Sequence, residues 1–118
     1  MAEKKEVKFY QKGQVVVLVS PAYFDQEVAI TVQRIVRQQY KTGIKRFVID
    51  FGGCQVANSG GVASLWDLAL QVLDDYHGKI VLCGVDSIKE SVFALIGVIP
   101  LLHVAKTLPE ALQEAEAA

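Results

Sequence analysis

The sequence is poor in the residues that announce special chemistry. It has two cysteines, Cys54 and Cys83, with no C-x-x-C partner for either. Each lies in or beside an apolar run, so both are expected to be buried free thiols. The two histidines, His77 and His103, are far apart and have no carboxylates at ligand spacing, so no metal site is expected. An excess of one charge sign is missing as well. Lys and Arg total 12 against 13 Asp and Glu, a formal charge of −1. The basic pair Lys4-Lys5 is diluted by Glu3 and Glu6, and no dense Lys/Arg cluster occurs, which argues against nucleic acid as a partner. No apolar stretch reaches the length of a membrane span. The charged start, Met1-Ala2-Glu3-Lys4-Lys5-Glu6, leads into no signal-type apolar segment. A cytoplasmic protein without membrane insertion is therefore expected.

Assembled catalytic motifs are absent too. The glycines at 52, 53, 60 and 61 match neither G-x-x-x-x-G-K-[ST] nor G-x-G-x-x-G, and no serine sits in G-x-S-x-G. Asp25, Asp50, Asp67, Asp74, Asp75 and Asp86 are scattered, as solvated or capping carboxylates usually are. The expectation is a protein that is not an enzyme and holds no cofactor.

What is present is a core. Of 118 residues, 52% are hydrophobic, which suits one domain spanning 1–118 with its core at about 6–113. Residues 6–10 alternate, Lys12-Gly13 turns, and Gln14 to Val19 is a β-branched run, so a hairpin feeds a buried strand. Phe24, Val28, Val32, Ile35 and Val36 recur at helical spacing, with Asp25 or Ser20 as the cap and Gly43 as the stop. Arg46 to Phe51 is the next strand.

The helix after Ser59 carries the stripe Val62, Leu65, Trp66, Ala69, Val72, Leu73 and Tyr76, with Ser64, Asp67, Gln71 and Asp74 opposite. Leu68 flanks this stripe as a candidate for a partner surface, and Gly78 ends the helix. Lys79 to Gly84 is a strand. Ser87-Ile88-Lys89-Glu90 opens a short helix to about Ile96, Gly97 and Pro100 bracket a turn, and Leu101 to Val104 is a last strand. Thr107-Leu108-Pro109-Glu110 opens a final helix with capping-box spacing.

The order β-β-α-β-α-β-α-β-α is that of an α/β domain. It predicts a mainly parallel mixed sheet of 4–5 strands, an antiparallel edge strand and about four helices. Near-continuous apolar strands demand cover on both sheet faces.

One stretch joins a buried strand to the longest stripe: Asp50-Phe51-Gly52-Gly53-Cys54-Gln55-Val56-Ala57-Asn58-Ser59-Gly60-Gly61-Val62-Ala63. A helix N-terminus leaves backbone N–H groups unpaired and carries partial positive charge. Asn58 or Ser59 can cap it, the commoner use of such residues. A phosphate on Ser59 would also be accommodated there. Gly60 and Gly61 either shape the turn or give a partner close access to the backbone.

From Val7 to about Leu112 the chain resembles the STAS domain of bacterial anti-sigma-factor antagonists. The resemblance rests on the strand ending in Asp50, the walk to Asn58-Ser59-Gly60-Gly61, the helix beyond and the strand Ile80-Val81-Leu82-Cys83-Gly84. The Gly97-Val98 turn and the closing Thr107-Leu108-Pro109-Glu110-Ala111-Leu112 belong to it as well. The family pattern Asp-Ser-(Ser/Thr)-Gly-(Leu)-Gly places its first serine on Ser59. Its Asp is Asn58 here, its second hydroxyl residue Gly60 and its second glycine Ala63.

The resemblance implies a regulator that works by binding proteins. An anti-sigma factor that is also a serine kinase would phosphorylate Ser59, and a serine phosphatase would reset it. The implied binding surface is Asn58, Ser59, Gly60 and Gly61, with Ser20 and Tyr23 beside them. The family's helices lie mostly on one side of the sheet, so the first hairpin, a homodimer contact or the partner is expected to cover the other. The alternatives are a STAS scaffold subunit of a stress-sensing complex, a transporter-associated STAS protein or, in another class, a small nucleotide-binding protein or enzyme.

Overall fold

The computed structural model describes residues 6–85 and 102–117. The elements are β1 (Lys8–Lys12), β2 (Val15–Val19), β3 (Tyr23–Phe24), α1 (Gln26–Lys41), β4 (Arg46–Asp50), β5 (Val56–Ala57), α2 (Ser59–Asp74), β6 (Lys79–Cys83), β7 (His103–Ala105) and α3 (Leu108–Glu116). The expected helix from Ser87 to Ile96, the turn at Gly97 and Pro100, and Leu101 lie outside the described residues.

Five strands form one sheet in the order β1-β2-β4-β6-β7, while β3 and β5 form a separate parallel pair. Within the large sheet only the edge strand β1 runs antiparallel, with Tyr10 opposite Val17. The remaining pairs are parallel. This is the expected α/β architecture.

Val15, Val16, Val17 and Leu18 are all fully buried, because each sheet face has its own cover. On one face Val16, Leu18, Phe47, Ile49 and Leu82 share a core with Val28 and Val32 of α1 and Leu65 and Val72 of α2. On the other face Val15, Val17, Val48, Val81 and Cys83 lie under Ala111 and Ala115 of α3. The second face is therefore covered by the chain's own last helix. Alanines at these two positions let the helix backbone sit close to the sheet. Arg46 Nη1 donates to the carbonyls of Ala115 and Ala117, both at 2.7 Å, and Lys79 Nζ donates to Glu114 O at 2.7 Å. Cations thus meet the partially negative end of α3. At its start Thr107 caps the helix, its Oγ1 accepting from Glu110 N at 3.3 Å, and the same hydroxyl donates to Glu110 Oε1 at 2.9 Å in place of the backbone half of a capping box.

Some local expectations are resolved and others change. Asp25 caps α1, its Oδ1 accepting from Val28 N at 2.9 Å. Ser20 instead donates its hydroxyl to Pro21 O at 2.9 Å. Gly43 follows the helix with φ of 103°, as its position predicts. Gly78 does not end α2. The helix stops at Asp74, and His77 takes the left-handed conformation, with φ of 52°. Gly78 is needed because a side chain there would strike Lys45 O. Leu68 is buried in the core, not at a partner surface. Ser64 is buried too, and its carbonyl accepts from Gln33 Nε2 at 2.9 Å. Because α2 packs against both the sheet and α1, its buried arc is wider than a one-sided stripe.

Candidate functional site at the start of α2

The loop after β4 is shaped by short-range bonds. Asp50 Oδ1 accepts from Gly52 N at 2.8 Å and turns the chain out of the strand. The loop then fastens to the segment after β2. Gln55 N and Val56 N both donate to Ala22 O, at 2.7 and 3.1 Å, and Asn58 N donates to Phe24 O at 3.1 Å. Tyr23 pairs with Val56 and Phe24 with Ala57. Phe24 and Ala57 point inward and are buried, with Phe24 edge-on to Phe51 at 5.1 Å. This miniature sheet brings the stretch around Tyr23 beside Asn58 and Ser59, two segments some 35 residues apart in sequence.

The cap of α2 is Asn58. Its Oδ1 accepts from Gly61 N at 2.8 Å. Ser59 is thereby relieved of the capping role. It is the first helical residue, exposed, with its hydroxyl bonded to no partner among the described residues. The two glycines differ in role. A Cβ on Gly61 would stand 2.6 Å from Phe24 O and 3.0 Å from Asp25 C, so the bare backbone there is used by the chain's own β3–α1 junction. A Cβ on Gly60 would meet Gln26 Cβ at 3.5 Å, an ordinary contact.

Of the residues expected at the surface, Tyr23 and Ser59 are exposed and Asn58 and Gly60 are half-buried. Gly61 and Ser20 are buried. On the paired strands beside Ser59, Tyr23 (44%) and Val56 (47%) are exposed apolar side chains, and Ile30 (49%) is exposed one helical turn beyond Gln26. Sequence reasoning did not single out Val56, Gln26 or Ile30. The available signal was weak: Val56 is the one β-branched residue between Phe51 and Asn58, and Ile30 departs from the α1 stripe.

Behind the loop, Cys83 lies opposite Asp50 in the β4–β6 ladder. Burial, the Asp50 charge and a hydrogen bond to Asp50 together push the Cys83 thiol up to about 12. The Tyr10 hydroxyl is also raised, first by partial burial and then by Asp50 and Cys83. A thiol held in this way is neutral and inert at physiological pH. Both cysteines are free and buried, as their apolar settings predict. Among the described residues no group of three His, Cys, Asp or Glu is placed to hold a metal ion, and no helix is long and apolar enough to cross a membrane.

The sheet with its antiparallel edge, helices on both faces and a serine at the first position of the second helix define a class of domain. Residues 6–111 match the STAS domain family, and the chain belongs to it. Among solved structures, an anti-sigma factor antagonist from Mycobacterium paratuberculosis superposes with a TM-score of 0.78 at 14% identity, covering 95% of this chain and 94% of that one. The anti-sigma factor antagonist SpoIIAA in its unphosphorylated form gives 0.74 at 17% identity, over 92% and 95% of the two chains. A variant of RsbS from Moorella thermoacetica gives 0.76 at 16% identity, over 93% and 94%. At these identities the likeness is one of fold. No curated protein matches the sequence.

Proposed function

We propose that this STAS domain is a non-enzymatic, cytoplasmic regulator that acts by binding another protein through the surface around Ser59. In this reading it is an anti-sigma-factor antagonist. The partner is an anti-sigma factor with serine-kinase activity, phosphorylation of Ser59 releases it, and a serine phosphatase resets the switch. The observation that carries the proposal is the division of labour at the helix start. Asn58 makes the cap bond to Gly61 N, leaving the exposed Ser59 hydroxyl for chemistry. A phosphate there adds close to two negative charges and three acceptor oxygens. It would sit at the positive end of α2, where the fold tolerates it. A partner seated over Tyr23, Val56 and Gly60 would meet that charge within the contact, where desolvating it is costly.

The test is binding of the purified chain to its cognate serine-kinase anti-sigma factor. Ser59→Ala should keep the affinity, and Ser59→Asp should weaken it at least about tenfold, a change of roughly 1.4 kcal/mol. Equal affinities would remove the switch from the proposal. Asn58, neutral where the family pattern has Asp, favours one second reading: a STAS scaffold subunit whose Ser59 is never phosphorylated. Phosphopeptide analysis of the protein from resting and stressed cells separates the two, since only the switch requires a phosphate on Ser59 that changes with condition.

A further inference from the structure

We propose a second binding site, for a phosphate-bearing small molecule, at the end of the sheet opposite Ser59. A cavity of about 340 Å³ opens there, lined by Lys45, Arg46, Lys79, His77 and His103, with Leu73 as an apolar wall. Arg46 and Lys79 are the first residues of β4 and β6, so the cavity lies at the N-terminal edge of the strands. Its volume is at the small end of the range that ligand pockets occupy, about 300–1,000 Å³.

Among the described residues that line it, the pocket carries three cations, Lys45, Arg46 and Lys79, and no carboxylate. Lys45, Arg46 and Lys79 converge on it, and none of them pairs with a carboxylate among the described residues; the ion pair at its rim joins His103 Nδ1 to Glu114 Oε1 at 3.3 Å. The last turn of α3 accounts for part of this charge. It takes Arg46 Nη1 and Lys79 Nζ as donors to its carbonyls. Holding that helix end requires neither Lys45 nor His77, and neither side chain has a partner among the described residues. Among the described residues Arg46 bonds only through Nη1, which leaves Nε and Nη2 uncommitted there.

The left-handed turn of His77 after α2, with φ of 52°, leaves its ring in the lining of the cavity. Several donors of like charge around one cavity suit an oxyanion with several acceptor oxygens, and phosphate is the group that lysine and arginine recognise in this way. This site shares no residue with the surface around Ser59, so either proposal can fail without the other.

The experiment titrates the full chain with inorganic phosphate at constant ionic strength and follows the imidazole resonances of His77 and His103 by proton–nitrogen NMR. The expected result is saturable shifts at both rings with a Kd of about 1 mM or tighter. Lys45→Gln should weaken binding at least about tenfold. His77→Asn should do the same while keeping the native Tm, because asparagine accepts a positive φ. Shifts reproduced by sodium chloride at matched ionic strength would overturn the proposal. So would an affinity that Lys45→Gln leaves unchanged.

Discussion

At the scale of single residues, the site depends on which atom caps α2. Asn58→Ala removes the acceptor for Gly61 N and should lower the unfolding free energy by about 1 kcal/mol, measured by urea denaturation. Asn58→Asp keeps the bond and adds a charge at the positive helix end, so it should be neutral or stabilising by about 0.3–1 kcal/mol. The neighbouring glycines should separate cleanly in the same assay. Gly61→Ala forces a methyl against the Phe24 carbonyl and should cost about 1–3 kcal/mol. Gly60→Ala meets only an ordinary contact and should gain up to about 1 kcal/mol from helix propensity. The sequence placed a hydroxyl and an amide at the start of a helix but left open which of them capped it. That choice depends on the backbone dihedrals of Asn58, extended at φ of −95° and ψ of 171°, which composition does not encode.

At the scale of elements, long periodic segments were legible and short paired ones were not. α1 and α2 announce themselves by stripes of apolar residues, and β2, β4 and β6 by continuous apolar runs. The strands β3 and β5 are two residues each, too short to show any period, and they exist only because Ala22 and Phe24 supply acceptors to the loop. The width of the buried arc on α2 was equally hidden, since it depends on α1 lying alongside. The role of α3 was missed for a different reason. Ala111 and Ala115 are completely buried, yet alanines spaced by four read as a weak stripe, and nothing local says that they close a sheet face. Their small size gives a direct test. Ala111→Leu should overpack the gap between α3 and β6 and lower stability by about 1–3 kcal/mol, whereas Gln113→Leu, at an exposed position of the same helix, should change it by less than about 0.5 kcal/mol.

At the scale of the whole molecule, two cores on opposite faces share one sheet, and the polar pair Asp50 and Cys83 lies at the strand ends beside the loop. The raised Cys83 thiol links stability to alkaline pH. Folding favours the protonated thiol, so this contribution is complete below the ordinary thiol value of roughly 8.5. It declines as pH rises toward the folded value of about 12. Denaturation midpoints should therefore fall between about pH 8.5 and 12, and Cys83→Ala should flatten that fall. Asp50→Asn removes the charge and the carboxylate bond but not the burial that is the larger cause, so it should lower the thiol only part of the way and narrow that alkaline fall. The general plan of this molecule was readable from alternating patterns, whereas the seating of Asp25 and Phe24 against Gly61 emerges only once distant segments meet. For the switch proposed at Ser59, that seating bears on how a kinase would read the chain. The outline of the chain around Ser59 exists only while residues 22–25 hold it, so recognition would have to be of a folded surface rather than of a linear motif. A synthetic peptide covering residues 52–66 should be a far poorer phosphate acceptor than the intact domain, although it contains every residue of the loop.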